Sequence, residues 1–320
     1  MRGLDYALKR VGFALITLFV VITMNFFLFR VLPGNAITNL GRDARLSPEA
    51  QHTLRVQFGL DKSMGAQYLA SLEQLAHGNL GISYQSRAPV LGELATALKN
   101  TVPMVGIATV IAVVMGLATG VIAAWRRRTW ADYGSVATAL VFYAMPVAWL
   151  GLILLLLFHG TLPAGGMYDD FAVHTTLLSR WEDAGKHMIL PAATLALGLY
   201  GQFTVITRSA MLETIGEDYV LMARAKGLGN ARVVIRHVLP NALLPITTLI
   251  ALSLGFIVGG AILVETVFSW PGIGQAVFRA LSQRDYPILQ GAFLLLAASV
   301  ILCNLIADLL YLKLDPRTTA

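Results

Sequence analysis

Residues 101–158 read TVPMVGIATVIAVVMGLATGVIAAWRRRTWADYGSVATALVFYAMPVAWLGLILLLLF. Two apolar runs, Thr101 to Trp125 and Tyr133 to Phe158, flank Arg126, Arg127 and Arg128. A helix rises about 1.5 Å per residue, so about 20 apolar residues cross the roughly 30 Å hydrocarbon core of a bilayer. Each run meets that length. The arginines between them mark a short loop held on the cytoplasmic side.

Working outward, comparable runs occur at Val11 to Phe29, Met188 to Ile206, Ala242 to Val264 and Leu289 to Leu312. The expected fold is therefore an all-α polytopic membrane protein with about six transmembrane helices. The whole composition agrees: of 320 residues, 56% are hydrophobic and only 13% charged, too apolar for an ordinary soluble domain. Six spans place both termini on one side. With that side cytoplasmic, Arg2, Lys9, Arg10, Arg126 to Arg128, Arg208, Arg224, Lys226, Arg232, Arg236, Lys313 and Arg317 lie inside. The two short outer loops hold only Arg180, Lys186, Arg279 and Arg284, which satisfies the positive-inside rule. The expected division is 1–32 for the cytoplasmic N-terminus and first span, and 33–100 for an extracytoplasmic segment. A core of further spans follows over 101–312, with a cytoplasmic loop at 209–240, and 313–320 forms a cytoplasmic tail.

The first run follows Arg2, Lys9 and Arg10 like the basic head of a signal peptide, but it is too long and meets no small-residue cleavage site. It is expected to remain as an anchor. The long outer segment carries helical patterning around Ser47 to Phe58 and Gln67 to Ala76. Ser47 and Pro48 read as a helix start there, and Gly59 and Gly78 as stops.

Several function classes find no support. Cys303 is the single cysteine, so neither a disulfide framework nor a thiolate metal site is suggested. The net charge of +6 is spread between apolar runs rather than gathered in a nucleic-acid-binding patch. The six histidines show no ligand spacing, and no nucleophile, base or paired carboxylates stand at catalytic spacing. No phosphate-binding Gly-x-x-x-x-Gly-Lys-Ser/Thr loop is present. The expected chain is not an enzyme and holds no cofactor or metal of its own.

The cytoplasmic loop carries the most specific pattern. Glu217 and Asp218 open a short helix where its dipole favours acids, Arg224 and Lys226 close it where bases are favoured, and Gly227 supplies a left-handed stop. Asn230 is expected to cap a second helix that ends before Pro240. Tyr219, Met222 and Ala223 fall at i, i+3 and i+4 and form one apolar ridge. Such a helix suits docking into a groove on a partner, or lying on the lipid surface.

This loop resembles the EAA loop of permease subunits in bacterial ATP-binding-cassette importers. Ala223, Gly227, Leu239 and Pro240 match its spacing, while Leu221 and Met222 stand where the Glu-Ala pair usually begins. The wording Tyr219-Val220 to Lys226-Gly227-Leu228 resembles the dipeptide and oligopeptide (peptide/nickel) branch, at its B-type subunit. Further matching segments are Pro33-Gly34-Asn35, Phe58 to Asp61, Gly78 to Gly81, Leu162 to Gly166, Glu265 to Gly274, Arg284 to Pro287 and Leu314 to Arg317. Asn35 and Asn79 are amides where that branch often has acids.

The resemblance implies a type I importer transmembrane domain in a bacterial inner membrane, with Glu217 to Lys226 as a coupling helix seated in a cytoplasmic ATPase. It also implies a homologous second permease, two ATPases that bind ATP and Mg, and an extracytoplasmic substrate-binding protein. Di- or oligopeptides would pass between the two permeases. Glu265, Phe268, Trp270, Pro271, Gly272 and Gly274 would lie near an external gate or the binding-protein dock. A secondary transporter or channel acting without an ATPase is the alternative, but it would need ionisable residues in several spans.

The remaining intramembrane features have plainer readings. Asp308, near Lys313 and Arg317, reads as an interface acid or a gate, and Asn25 and Asn304 as helix-to-helix hydrogen bonders. Gly116 with Gly120, and Gly255 with Gly259, are expected to let helices approach closely. Pro146 and Pro191 are expected to kink their spans.

Overall fold

The computed structural model describes residues 2–31, 49, 62–169, 171–172, 175–243, 245–247, 249–250 and 261–314; of 2–6, 31 and 307–314 only the backbone is described. Apart from Glu49, the helical element at Ser47 to Phe58 lies outside the described residues, as do the Gly59 stop, Gly255 and Gly259, and the side chain of Asp308. The chain divides into two compact units, Met1–Asn100 with Pro271–Ala320, and Thr101–Trp270.

In the first unit, α1 (Arg2–Val31) packs along α11 (Tyr286–Leu314). Asn25 joins them, its Nδ2 donating to the Gln290 carbonyl at 3.0 Å. Asn304 on α11 is exposed, so among the described residues it does not hold a second helix as expected. Most of α1 turns apolar side chains outward, among them Phe13, Ile16 and Met24, the pattern expected when lipid is the solvent. The expected outer helix is α2 (Met64–Ala76), capped by the Ser63 hydroxyl. Gly78 ends it at φ +72°, with Gly78 and Asn79 N–H groups returning to Leu75 and Gln74 carbonyls, which is the Schellman pattern. Tyr68 docks α2 on α1, its hydroxyl 2.7 Å from Thr23 and its ring stacked against Phe27.

A helix in the same unit, α10 (Ile273–Gln283), buries Ile273, Gly274, Val277 and Ala280 along one stripe. It stops at Arg284 in the left-handed region, φ 56°. Asp285 then gathers the turn at Ser83 to Gln85. It is 2% exposed and accepts from the Ser83 hydroxyl at 2.5 Å, the Gln85 N–H and Tyr84 N–H at 3.2 Å, and the Ile288 N–H at the start of α11. An acid at that position both complements the dipole of α11 and satisfies backbone donors of a loop about 200 residues away in sequence.

Helix α3 (Val90–Trp125) carries the second span. Its 36 residues make roughly 54 Å, well beyond the core thickness, so its first turns project past the apolar run read from the sequence. In the second unit, its residues from Thr101 pack on α6 (Leu177–Ile215), the 39-residue helix that contributes much of the buried core. The small-residue reading of Gly116 and Gly120 holds. A Cβ at Gly116 would sit 2.4 Å from Phe203 Cβ, and one at Gly120 2.8 Å from the Thr204 carbonyl. Thr119 and Thr204 hydroxyls meet at 2.9 Å across the same crossing. Gly120→Ala is therefore expected to lower the thermal midpoint of the purified chain, by about 1–3 kcal/mol of overpacking. Gly106→Ala, where nothing lies within 4 Å, is expected to leave it unchanged or slightly raised.

The third expected span is not one continuous helix. It breaks into α4 (Trp130–Ala144) and α5 (Val147–Leu157), bent by 104°. Met145 is extended, with ψ 127°, because Pro146 disfavours a helical residue before it and cannot donate into the turn. Pro191 instead sits inside uninterrupted α6. Helix α4 lies so close to α6 that a Cβ on Gly201 would meet the Ala139 carbonyl at 2.3 Å. Among the described residues, four helices are long and apolar enough to cross a membrane, or five if the bent pair is one span. The expected span Ala242 to Val264 lies partly outside the described residues.

Candidate functional site: the loop after α6 and its anchors

The loop after α6 folds as the capping logic requires. Helix α7 (Asp218–Ala225) has Glu217 at its N-cap position and Asp218 in its first turn, with Arg224 in its last turn and Lys226 following. Gly227 takes φ +77°, and the Gly227 and Leu228 N–H groups close back on the Arg224 and Ala223 carbonyls. A side chain at Gly227 would be strained by that backbone conformation even though the space around it is open.

The two faces of α7 differ from the expected ridge. Val220 and Ala223 are buried, at 0% and 4% exposure, in a cluster with Ala124, Ala210, Met211, Val233, Val238 and Ala242. Tyr219, Leu221 and Met222 are exposed, Met222 at 59%. Ala223 thus belongs to the anchoring face rather than to the ridge with Tyr219 and Met222. The physical reason is its i, i+3 pairing with Val220, a residue whose β-branched side chain fills the interior beside it. Two polar contacts steady the outer face. The Arg224 guanidinium lies over the Trp125 ring, 5.3 Å from its centroid, and Asn241 Nδ2 donates to the Tyr219 hydroxyl at 2.8 Å.

The second element of the loop differs in two respects from the sequence reading. Asn230 is the first residue of α8 (Asn230–Val233), and Gly229 stands at the N-cap without a side-chain hydrogen bond. The helix does not end before Pro240. It widens into a π-turn over Val234–Val238, with the Leu239 N–H reaching the Val234 carbonyl, and residues 239–243 remain helical. The wider turn fits a proline that can give no N–H and whose ring would strike the carbonyl four residues earlier. Leu239 is half-buried against the anchoring cluster, and Pro240 is exposed.

An ion pair that sequence reading did not single out fastens the same end of the unit. Arg208 Nε meets Asp132 Oδ1 at 2.7 Å and its Nη2 meets Oδ2 at 3.0 Å. The Arg128 N–H donates to Oδ2 at 3.0 Å, so Asp132, 2% exposed, is held on three sides. Asp132 lies in the first turn of α4 and Arg208 on α6, a separation of 76 residues. A charge in the first turn of a helix was the only signal available.

At the other end of this unit, α9 (Ile262–Val267) carries the expected gate or dock residues. Glu265, Phe268 and Trp270 are enclosed, at 0%, 1% and 0% exposure. Thr101 donates its hydroxyl to Glu265 Oε1 at 2.6 Å. Ser269 adopts φ 50°, and the Trp270 N–H returns to the Glu265 carbonyl at 2.8 Å. Gly165 and Gly166 back onto this turn, the Gly166 N–H donating to the Phe268 carbonyl at 2.9 Å. These side chains build the turn's interior and offer no surface within this chain. In the first unit, Pro271 is half-buried and accepts from Asn100 Nδ2 at 2.9 Å, while Gly272 and Gly274 are buried at the start of α10.

Residues 116–320 match the family described as binding-protein-dependent transport system inner membrane component, and residues 3–105 match its N-terminal membrane component. The chain belongs to this family. It is a multi-pass inner membrane protein. It is 39% identical over 333 residues to the dipeptide transport system permease protein DppB of Escherichia coli (strain K12), covering 98% of each chain. It is 41% identical over 330 residues to the di/tripeptide transport system permease protein DppB of Pseudomonas aeruginosa (strain UCBPP-PA14), again over 98% of each. A solved structure titled as inward facing conformations of the MetNI methionine ABC transporter superposes with a TM-score of 0.55 at 17% identity. It covers 69% of this chain and 96% of that one. That likeness shows a shared fold.

Proposed function

We propose that this chain is one of two homologous permease subunits of an ATP-driven importer that takes up di- or oligopeptides, and that α7 is the helix through which cytoplasmic ATPases drive it. The observation that carries this reading is the geometry of α7. Its inner face is locked into the permease by Val220 and Ala223, while Tyr219, Leu221 and Met222 stay exposed. A helix rigidly seated on one side and apolar on the other transmits a push instead of absorbing it, which a lever between two subunits requires.

The curated relatives with matching length support the peptide substrate. ATP and Mg would be bound by two partner ATPases, with an extracytoplasmic binding protein delivering the solute. The loop and both termini would face the cytoplasm, as the arginine distribution favours. The low exposure of Glu265, Phe268 and Trp270 supports a structural plug beneath a gate more than a docking surface made by those side chains. The test is uptake into proteoliposomes holding the assembled permeases and ATPases. Labelled dipeptide should accumulate only with ATP inside the cytoplasmic face and binding protein on the other. Accumulation driven by an ion gradient alone, without ATPases, would overturn the reading in favour of a secondary transporter.

A further inference from the structure

In the first unit, the end of α1 and the start of α11 border a cavity of about 210 Å³, lined among others by Phe26, Phe29, Arg30, Asn79, Tyr84 and Gln290. Its place relative to the bilayer follows from the spans. One apolar span, Ala7–Arg30, ends at this cavity, and another, Tyr286–Ile306, begins there, so the cavity sits at the membrane–water boundary, where aromatic side chains concentrate.

Arg30 is the charged group in it. The guanidinium carbon stands over the Phe26 ring, 5.4 Å from the centroid, and the residue is half-buried. Among the described residues, no carboxylate pairs with Arg30, and none of the lining side chains is acidic. A partly buried cation set against an aromatic face and the Tyr84 side chain gains from an added anion. The neighbouring amides strengthen the same preference. Asn79 Oδ1 is taken by the Gly81 N–H at 2.9 Å, which leaves its NH₂ group to donate, and the Gln74 and Gln290 side chains border the same space. One planar cation with amide donors around it matches the oxygens of a phosphate, which arginine grips in two-pronged fashion. The volume falls below the roughly 300–1,000 Å³ of sites that enclose whole drug-sized ligands, so it suits one phosphate group rather than an entire transported solute.

We propose that this cavity binds a phosphate group, supplied either by an anionic phospholipid headgroup or by free phosphate, with Arg30 as its principal ligand. The test uses the full-length chain, purified in neutral detergent and stripped of lipid. Phosphatidylglycerol or inorganic phosphate is then added, with chloride as the control anion, while thermal midpoint and bound mass are followed. The wild type is expected to rise in midpoint with phosphatidylglycerol, and Arg30→Gln to need at least about tenfold more of it, since one charge-assisted pair is worth roughly 1.5–3 kcal/mol. Arg30→Lys, which keeps the charge but loses the planar fork, should fall between the two. A response to phosphatidylglycerol alone assigns the headgroup as the source, and an equal response to inorganic phosphate assigns the free anion. Should Arg30→Gln prove less stable without ligand, Gln290→Leu serves as the second variant and must also weaken binding. Equal binding by wild type and variants, or no response to either compound, overturns the proposal.

Discussion

Met222→Asp is expected to abolish ATP-dependent uptake while leaving the permease folded. Met222 is 59% exposed, on the face of α7 that points away from the anchoring cluster, so the substitution removes nothing from the interior. Against an ATPase cleft the same change removes an apolar contact and buries an unpaired carboxylate. Central apolar anchors of interfaces cost about 2 kcal/mol or more when lost, roughly a 30-fold weakening, and the buried charge adds to it. Two measurements check this: ATPase subunits should no longer co-purify, and uptake in proteoliposomes should fall at least about tenfold, with the thermal midpoint unchanged. Full uptake with normal co-purification would remove α7 from the coupling route. Ala223→Glu is a poorer test. At 4% exposure it would push a charge into the cluster and unfold the loop, so its loss of uptake would not separate docking from folding.

Arg208→Leu is expected to destabilise the chain more than an ordinary surface substitution, by about 1–3 kcal/mol, because Asp132 loses its two-pronged partner. Asp132 is 2% exposed, and the Arg128 N–H and the nearby Arg127 charge would be left to replace a two-pronged partner. Asp132→Asn should cost less, since the Arg208 side chain is 30% exposed and can turn toward water. The double variant Asp132→Asn with Arg208→Leu should recover much of the single loss, as neutral pairs tolerate burial better than a lone ion. Thermal unfolding of the purified chain in detergent reads all three. Equal midpoints for wild type and Arg208→Leu would mean that the pair joining α4 to α6 carries no net stability.

The spans that fall in α1, α3, α6 and α11 were legible because lipid demands about 20 apolar residues in a row, a constraint written along the chain. The α7 boundaries were legible for a similar reason. Acids, bases and a left-handed glycine act on their own helix within a turn or two, so Glu217, Asp218, Arg224 and Gly227 could be read without any tertiary partner. The π-turn before Pro240 is also a local effect. It was missed because a proline can be accommodated either by stopping a helix or by widening it, and only the packing of Val233 and Val238 into the cluster favours continuing.

Contacts between distant segments decided the rest. Which side of α7 faces inward depends on Ala124, Met211 and Val238, and periodicity alone allowed Ala223 to be grouped with Met222. The 104° break at Pro146 needed a fold in which α5 turns away from α4, since a proline by itself permits anything from a gentle kink to a corner. Asp132 with Arg208, and Asp285 with Ser83, pair residues 76 and 202 positions apart. The sequence by itself determined a helical membrane chain, the family wording of its loop and the capping of α7, because these rest on local chemistry and on the bilayer's thickness. Tertiary structure alone decided which loop side chains anchor and which stand free, because burial is a property of the neighbours that surround a residue.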